Sequence, residues 1–302
     1  MSENLTKLHK AGFVNIVGNP NVGKSTLTNA LVGERISIIT SKAQTTRHRI
    51  MGIVNGEDFQ IVFSDTPGVL KPNYKLQESM REFSDSALSD ADVLLYVTDV
   101  IDTADKNADF LEKVKSNPSK IILIINKIDL IDEQKLIVLV ENWKKLLPNA
   151  EIFPISATQN FGIDQLLKRI IEFLPESPPF FDKDALTDKP ERFFVNEIIR
   201  EKILLNYEKE VPYSVEVAVE EFREEENIIR IGAVIFCERD SQKGIIIGKN
   251  GSALKKVGVE ARKEIEALFL KKVFLQLFVK VEKDWRNKEN KLRNFGYQIT
   301  HK

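Results

Sequence analysis

The chain has 302 residues, 42% hydrophobic and 29% charged, with a formal net charge of −1, the composition of a folded soluble protein of one to three domains. No run approaches the roughly 18 to 20 apolar residues of a membrane-spanning helix, and Met1 to Lys7 lacks the apolar core of a signal peptide, so a cytoplasmic protein is expected. The single cysteine, Cys237, excludes a disulfide framework and is expected as a buried reduced thiol in an apolar run; His9, His48 and His301 lack the spacing of zinc ligands.

Phe13 to Val17 has the apolar, β-branched character of a buried strand, and Leu27 to Val32 reads as a helix. Between them stands Gly18-Asn19-Pro20-Asn21-Val22-Gly23-Lys24-Ser25-Thr26. In a strand-to-helix turn, the two glycines of G-x-x-x-x-G-K-[ST] let successive backbone N–H groups converge on phosphate oxygens at a helix N-terminus. Lys24 is then expected to reach the β and γ phosphates, and Ser25 to hold Mg²⁺. The polar stretch from Thr40 to Arg49 reads as a mobile loop, where a nucleotide switch would contribute a hydroxyl to the metal. Thr46 is the candidate, with Thr45 the alternative. Arg47 and Arg49 suit phosphate or RNA contacts better than a role as catalytic fingers.

Phe59 to Ser64 is the next expected strand, ending in Asp65-Thr66-Pro67-Gly68. An aspartate at the end of a strand beside the cradle would hold Mg²⁺ through water, and the Gly68 N–H would meet the γ-phosphate. Asp92 to Thr98 and Lys120 to Ile125 are continuous apolar runs, as in a parallel sheet buried on both faces, so the fold class is doubly wound α/β. The second run ends in Asn126-Lys127-Ile128-Asp129. The Asp129 carboxylate matches guanine N1–H and 2-amino N–H, a pairing adenine cannot offer; Asn126 would brace the loop and the Lys127 stem cover the purine. Ile152 to Ile155 runs into Ser156-Ala157-Thr158, whose backbone N–H is a candidate donor to the guanine carbonyl, and a helix over Gly162 to Phe173 closes the unit.

With these motifs in order, residues 1–174 resemble a translation-factor-class P-loop GTPase with a mostly parallel sheet. The resemblance implies GTP/GDP and Mg²⁺ as ligands and GTP hydrolysis as the activity. Val69 stands where many such enzymes carry a glutamine, which implies slow intrinsic turnover. Asn21 occupies the position that in several relatives helps hold K⁺.

Residues 175–190, rich in proline and polar groups, are expected as an exposed linker. Beyond it the charge is uneven: Glu191 to Glu238 carries 6 lysines and arginines against 12 carboxylates, and Arg239 to Lys302 carries 16 against 7. The pattern from 191 to 283 reads as helix, strand, strand, helix, Gly248-Lys249-Asn250-Gly251, helix, strand. That order is similar to an α+β KH domain of the type II arrangement. It implies single-stranded RNA lying against the glycine turn, with Ile246, Ile247, Gly248, Lys249, Asn250, Gly251, Lys255, Lys256 and Arg286 as the RNA-binding set. The alternatives are that Lys249, Lys255, Lys256, Arg262 and Lys263 form only the solvated face of a helix, or that the domain serves protein contacts. The basic tail 284–302 interleaves aromatic residues; Trp285 suits base stacking and packing on its own domain about equally.

Gln44 to Arg49, Asp65 to Gly68, Pro212-Tyr213-Ser214, Glu238 to Gly248 and Asp284-Trp285-Arg286 together resemble the Era family of bacterial GTPases over essentially the whole chain. The resemblance implies binding of small-subunit ribosomal RNA near its 3′ end, action on the pre-small subunit during its maturation, and peripheral association with the cytoplasmic face of the membrane. It implies a monomer that does not bind DNA. The alternative is a signalling GTPase that acts on protein or membrane partners without RNA.

Overall fold

A computed structural model of the chain describes residues 9–101 and 107–298, in two compact units. Met1 to Lys7 and His301 lie outside the described residues. The first unit comprises the described residues up to Ser37 with Thr46–Lys71 and Met80–Asp188. The second comprises Ile38–Thr45, Pro72–Ser79 and the described residues from Lys189 onward.

The first unit is built on a six-stranded sheet, with strands β1 (Lys10–Gly18), β2 (Ile50–Asn55), β3 (Phe59–Asp65), β4 (Val93–Asp99), β5 (Lys120–Asn126) and β6 (Glu151–Pro154) in the order β2-β3-β1-β4-β5-β6. All neighbours are parallel except β2 and β3. Its helices are α1 (Lys24–Val32), α2 (Lys75–Ser89), whose first turn belongs to the second unit, α3 (Ala108–Lys115), α4 (Glu133–Leu146) and α5 (Ile163–Phe173). Every residue of β4 is buried, and its side chains alternate between two cores. Leu95 and Val97 face the side covered by α1 and α5; Leu94 and Tyr96 face the side that contains Leu111, Val114 and Trp143. Because β3 and β4 flank β1 on opposite sides, the carboxyl end of β1 is the topological switch point, the place where an open α/β sheet leaves a crevice for a ligand.

Strand β2 is absent from the sequence-based expectation. It is a short edge strand centred on Gly52, directly after a polar loop, and its pairing with β3 depends on a hairpin rather than on a long apolar run. The connector over 175–190 is mostly exposed, as expected, yet it also pairs with the sheet along the β2 edge. Ile53 N–H donates to the Leu186 carbonyl at 2.8 Å, and Thr187 Oγ1 donates to the Met51 carbonyl at 2.7 Å. Gln60 Oε1 accepts from the N–H groups of Phe180 and Phe181 at 2.6 and 3.0 Å. The unpaired groups of an edge strand thus find partners in the connector, and the boundary falls at Asp188.

The second unit contains α6 (Glu191–Asn206), β7 (Glu216–Glu224), β8 (Ile228–Cys237), α7 (Asp240–Ile247), α8 (Ser252–Phe269), β9 (Lys272–Val281) and α9 (Glu289–Asn294), in the expected order through β9. β7 and β8 are antiparallel, and β8 and β9 parallel. Val257, Ala261 and Ile265, four apart on α8, are buried against Ile231 and Ile235 of β8 and Val195, Ile199 and Ile203 of α6. Cys237 is a free buried thiol, raised above its ordinary range by burial.

The segment set apart as a tail packs onto this unit. Trp285 is fully buried, its Nε1–H donates to the Ser214 carbonyl at 2.9 Å, and its ring meets Phe295 edge-on. Packing, not base stacking, is therefore its use. Trp285→Ala is expected to destabilise the second unit by about 3–5 kcal/mol, the range for deleting a buried large aromatic, measured as a shift of its denaturant unfolding midpoint.

Candidate nucleotide and RNA sites

The loop from Gly18 to Gly23 joins β1 to α1 at the switch point. Gly23 is left-handed (φ +94), and a Cβ there would lie 2.3 Å from Asn126 Nδ2, so only glycine lets the two loops approach. Helix α1 starts at Lys24 with no side-chain cap and no acidic residue in its first turn, which leaves its N–H groups and positive dipole end for an anion. The Lys24 ammonium is buried, donating to the carbonyls of Gly18 and Asn19 at 3.1 and 2.8 Å. Pro20, Val22 and Thr26 complete the loop; Val22 is buried against the α1 side of the core.

Three candidate metal-binding side chains converge. Ser25 Oγ lies 2.8 Å from Thr46 Oγ1 and donates to Asp65 Oδ2 at 2.7 Å, while Thr46 Oγ1 lies 3.4 Å from the same oxygen. Thr45, the alternative, turns its hydroxyl to Thr40 and Lys42 instead. Asp65 is fully buried, and its Oδ1 has no hydrogen-bond partner among the described residues. Burial pushes its carboxyl above the ordinary range, against the hydrogen bond from Ser25 and the attraction of Lys24. An oxygen-only set with an unsatisfied buried carboxylate oxygen fits a hard divalent cation such as Mg²⁺. Thr66 donates to the Ile16 carbonyl and Ser84 to the Pro67 carbonyl, which hold the Asp65 to Gly68 turn beside the cradle. Val69, buried, donates its N–H to the Gly18 carbonyl.

The guanine motif is tied directly to the cradle. Asn126 Nδ2 donates to the Val22 carbonyl at 3.0 Å; Lys127 Nζ donates to the Asn21 carbonyl at 2.6 Å and to Asp99 Oδ2 at 2.5 Å. Asp129 is exposed, with Oδ1 accepting from Ser156 Oγ at 2.5 Å, and that hydrogen bond orients the carboxylate. The Ala157 N–H, among the candidate donors to the guanine carbonyl, donates to Asn126 Oδ1 at 3.0 Å, which ties the Ser156 to Thr158 turn to the motif. Two bracing residues escaped the sequence reading. Asp99, at the end of β4, receives Lys127. Asn107 donates to Asn19 Oδ1 at 2.6 Å and to the Val69 carbonyl at 3.1 Å. Asp99 had the signal of a strand-end carboxylate; Asn107 had none.

In the second unit, Gly248 to Gly251 connects α7 to α8. Gly248 has φ +73, and a Cβ there would sit 2.6 Å from Ala253 Cβ. Lys249 and Asn250 project into solvent, as do Lys255 and Lys256. Beside the turn, a cavity of about 350 Å³ between α8 and β9 is lined by Leu254, Lys255, Val259, Arg262, Leu275 and Leu277, together with Gly251 and Gly258. Its apolar walls and basic rim suit unstacked bases and phosphates. The sequence reading named none of the apolar walls, because they come from two elements that only the fold brings side by side.

One residue expected in the RNA-binding set, Ile246, turns inward. Ile246 is fully buried in the core, where its carbonyl accepts from the Tyr207 hydroxyl; Ile245 is the exposed neighbour, and Ile247 is half-buried. The α7 periodicity turns Ile246 inward. Arg286 is engaged inside its own unit, paired with Glu238 and stacked 4.6 Å from the Tyr74 ring centre.

A family model described as "50S ribosome-binding GTPase" matches residues 13–127, and one described as "KH domain" matches residues 210–286. GTPase Era of Ruminiclostridium cellulolyticum is 44% identical over 292 residues, 96% of this chain and 98% of that protein. GTPase Era of Staphylococcus haemolyticus is 43% identical over 291 residues, 96% of this chain and 97% of that protein. A crystal structure of Era in complex with MgGDPNP and nucleotides 1506–1542 of 16S ribosomal RNA superimposes with a TM-score of 0.93 at 40% identity, covering 96% of this chain and 100% of that one. A point variant of Aquifex aeolicus Era bound to GDP·AlF4⁻ gives 0.92 at 39% identity, with coverage of 96% and 100%.

The base contact is open to a direct test. Asp129→Asn replaces an acceptor by an amide that offers a donor to the 2-carbonyl of xanthine, so GTP affinity is expected to fall about tenfold to a hundredfold while XTP affinity rises, in nucleotide titrations of the purified protein.

Proposed function

The chain belongs to the Era family of GTPases, and on that premise we propose that it is a nucleotide-driven switch that binds small-subunit ribosomal RNA near its 3′ end and acts in maturation of the small subunit. It is a GTPase that binds GTP and GDP with Mg²⁺ and converts GTP and water to GDP and phosphate. The observation that carries the RNA reading is the apolar, basic-rimmed groove beside Gly248–Gly251, in a chain whose relative has been solved with both MgGDPNP and 16S ribosomal RNA nucleotides.

In this reading the cradle N–H groups and Lys24 bind the phosphates. Ser25, Thr46 and Asp65 hold Mg²⁺, Gly68 meets the γ-phosphate, and Asp129 selects guanine. The metal, when bound, neutralises charge that develops on the phosphate oxygens. Loss of the γ-phosphate removes the anchor of Thr46 and of the Asp65 to Gly68 turn, and that local release is the switch. Lys249, Asn250, Lys255 and Lys256 contact RNA phosphates at the glycine turn, and bases enter the groove between α8 and β9. The protein works as a monomer in the cytoplasm, on RNA and not on DNA; peripheral association with the membrane belongs to the same reading and rests on the family resemblance alone.

Lys249→Glu combined with Lys255→Glu is expected to weaken binding of a single-stranded oligonucleotide from the small-subunit 3′ end by about tenfold or more, with GTP turnover unchanged. Unaltered RNA affinity would favour the rival signalling GTPase. The same oligonucleotide is expected to bind with different affinity in the GTP-analogue and GDP states, since a ligand shifts only an equilibrium whose states it distinguishes; equal affinities would remove the coupling.

Slow hydrolysis aided by K⁺ at Asn21 follows from the resemblance and from Val69, whose side chain cannot orient water. Asn21 is exposed and left-handed (φ 66), at the tip of the cradle. Turnover is expected to rise when K⁺ replaces Na⁺, and identical rates in the two salts would exclude it.

A further inference from the structure

Three residues after Thr46 the chain is fastened inside the first unit by the side chain of Arg49, which is 11% exposed. Its Nε donates to Ser64 Oγ of β3 at 2.6 Å, and one Nη donates to Asn15 Oδ1 of β1 at 3.1 Å. The two Nη groups also grip the carboxylate of Asp90 as a fork, at 2.7 and 3.0 Å. Asp90 directly follows α2. Asn15 and Ser64 are fully buried, and the Asn15 amide uses both of its protons, donating to Asp90 Oδ1 at 2.6 Å and to the Ala87 carbonyl at 2.7 Å.

An ion pair whose carboxylate is half exposed adds little stability by itself, because solvent screens it. What the network supplies is direction: its buried groups are satisfied by one another, and none can turn without orphaning its neighbour. It borders the metal-binding side chains closely. Ser64 immediately precedes Asp65, and Arg49 leads into β2, whose first residue, Ile50, is paired with Asp65. Thr46 is buried, its Oγ1 2.8 Å from Ser25 Oγ and 3.4 Å from Asp65 Oδ2. Helix α2 meets the same segment. Ser84 donates to the Pro67 carbonyl, and the Phe83 ring lies 6.2 Å from that of His48. His48 and Arg49 thus join the stretch that carries Thr46 to the helix that follows the Asp65 to Gly68 turn.

We infer that Arg49 positions Thr46. Fixed at once to β1, to β3 and to the residue that ends α2, it limits how far the chain can stray between the sheet and the hydroxyl that completes the Mg²⁺ site, and so governs the GTP-bound state specifically. The inference rests on the reading of Thr46 as a metal-binding residue. Arg49 is a positioning residue, since it acts through the backbone that leads to Thr46.

The test uses the full-length protein. Arg49→Lys keeps the charge but cannot serve Ser64, Asn15 and Asp90 together; Asp90→Asn, at a half-exposed position, weakens the fork while sparing the fold. Thr46→Ala, alone and combined with Arg49→Lys, is measured alongside. The readouts are the Mg²⁺ concentration for half-maximal binding of a non-hydrolysable GTP analogue, and the affinity for GDP. Arg49→Lys is expected to need about tenfold more Mg²⁺, with GDP affinity unchanged; Asp90→Asn should fall between it and the unaltered protein. Because Arg49 acts through Thr46, adding Arg49→Lys to Thr46→Ala is expected to produce no further loss. Equal loss of analogue and GDP affinity would mean that the network only supports the fold, and full additivity would mean that it acts away from Thr46; either overturns the inference. If Thr46→Ala shifts the Mg²⁺ dependence and neither Arg49→Lys nor Asp90→Asn does, the positioning role fails alone. If Thr46→Ala also changes nothing, the metal-binding reading of Thr46 fails and the inference with it.

Discussion

The buried carboxylate of Asp65 is the constraint around which the nucleotide site is arranged. The end of β3, beside the switch point at β1, places it there, and burial raises the cost of its charge. The Ser25 and Thr46 hydroxyls reach one of its oxygens, and the other has no hydrogen-bond partner among the described residues. Such a group is costly in the folded chain alone and becomes favourable when a divalent cation compensates it. The first turn of α1 has the same logic with the opposite sign, because its uncapped N–H groups and the buried Lys24 call for an anion. Metal and phosphate together resolve both demands, and neither does so alone.

Base selection is mechanically joined to phosphate binding. Asn126 and Lys127 bond to the carbonyls of Val22 and Asn21, so the loop that carries Asp129 is built against the cradle rather than merely near it. Asp99 and Asn107 brace the same region from β4 and from the start of α3. Precision in placing the base therefore draws also on bracing side chains such as Asp99 and Asn107, which restrict two loops that would otherwise move independently.

Much of this was legible before the fold was known. The cradle, the Asp65 turn and the Asn126 to Asp129 run each carry a local signature, because a glycine at a tight approach or a carboxylate at a strand end is dictated by neighbours in sequence. Strand β2 was not legible, since an edge strand interrupted by Gly52 has no long apolar run. Ile246 was misplaced because three successive isoleucines give no indication of which one a short helix turns inward. The neighbours of Arg286, Glu238 and Tyr74, are each far away in sequence, so no local pattern shows them beside it.

Local chemistry thus suffices for the identity of the nucleotide motifs, their order, the α/β class and the helix and strand succession of the second unit, because each depends on spacing within a few residues. Long-range packing decided the rest: that the connector up to Asp188 completes the β2 edge, that Trp285 lies in a core, that the groove has walls from both α8 and β9, and that Arg49 fastens the chain after Thr46. Those contacts join groups tens to hundreds of residues apart, and no periodicity records them. Only the folded chain brings the Arg49 guanidinium within hydrogen-bond reach of Asn15, Ser64 and Asp90 at once.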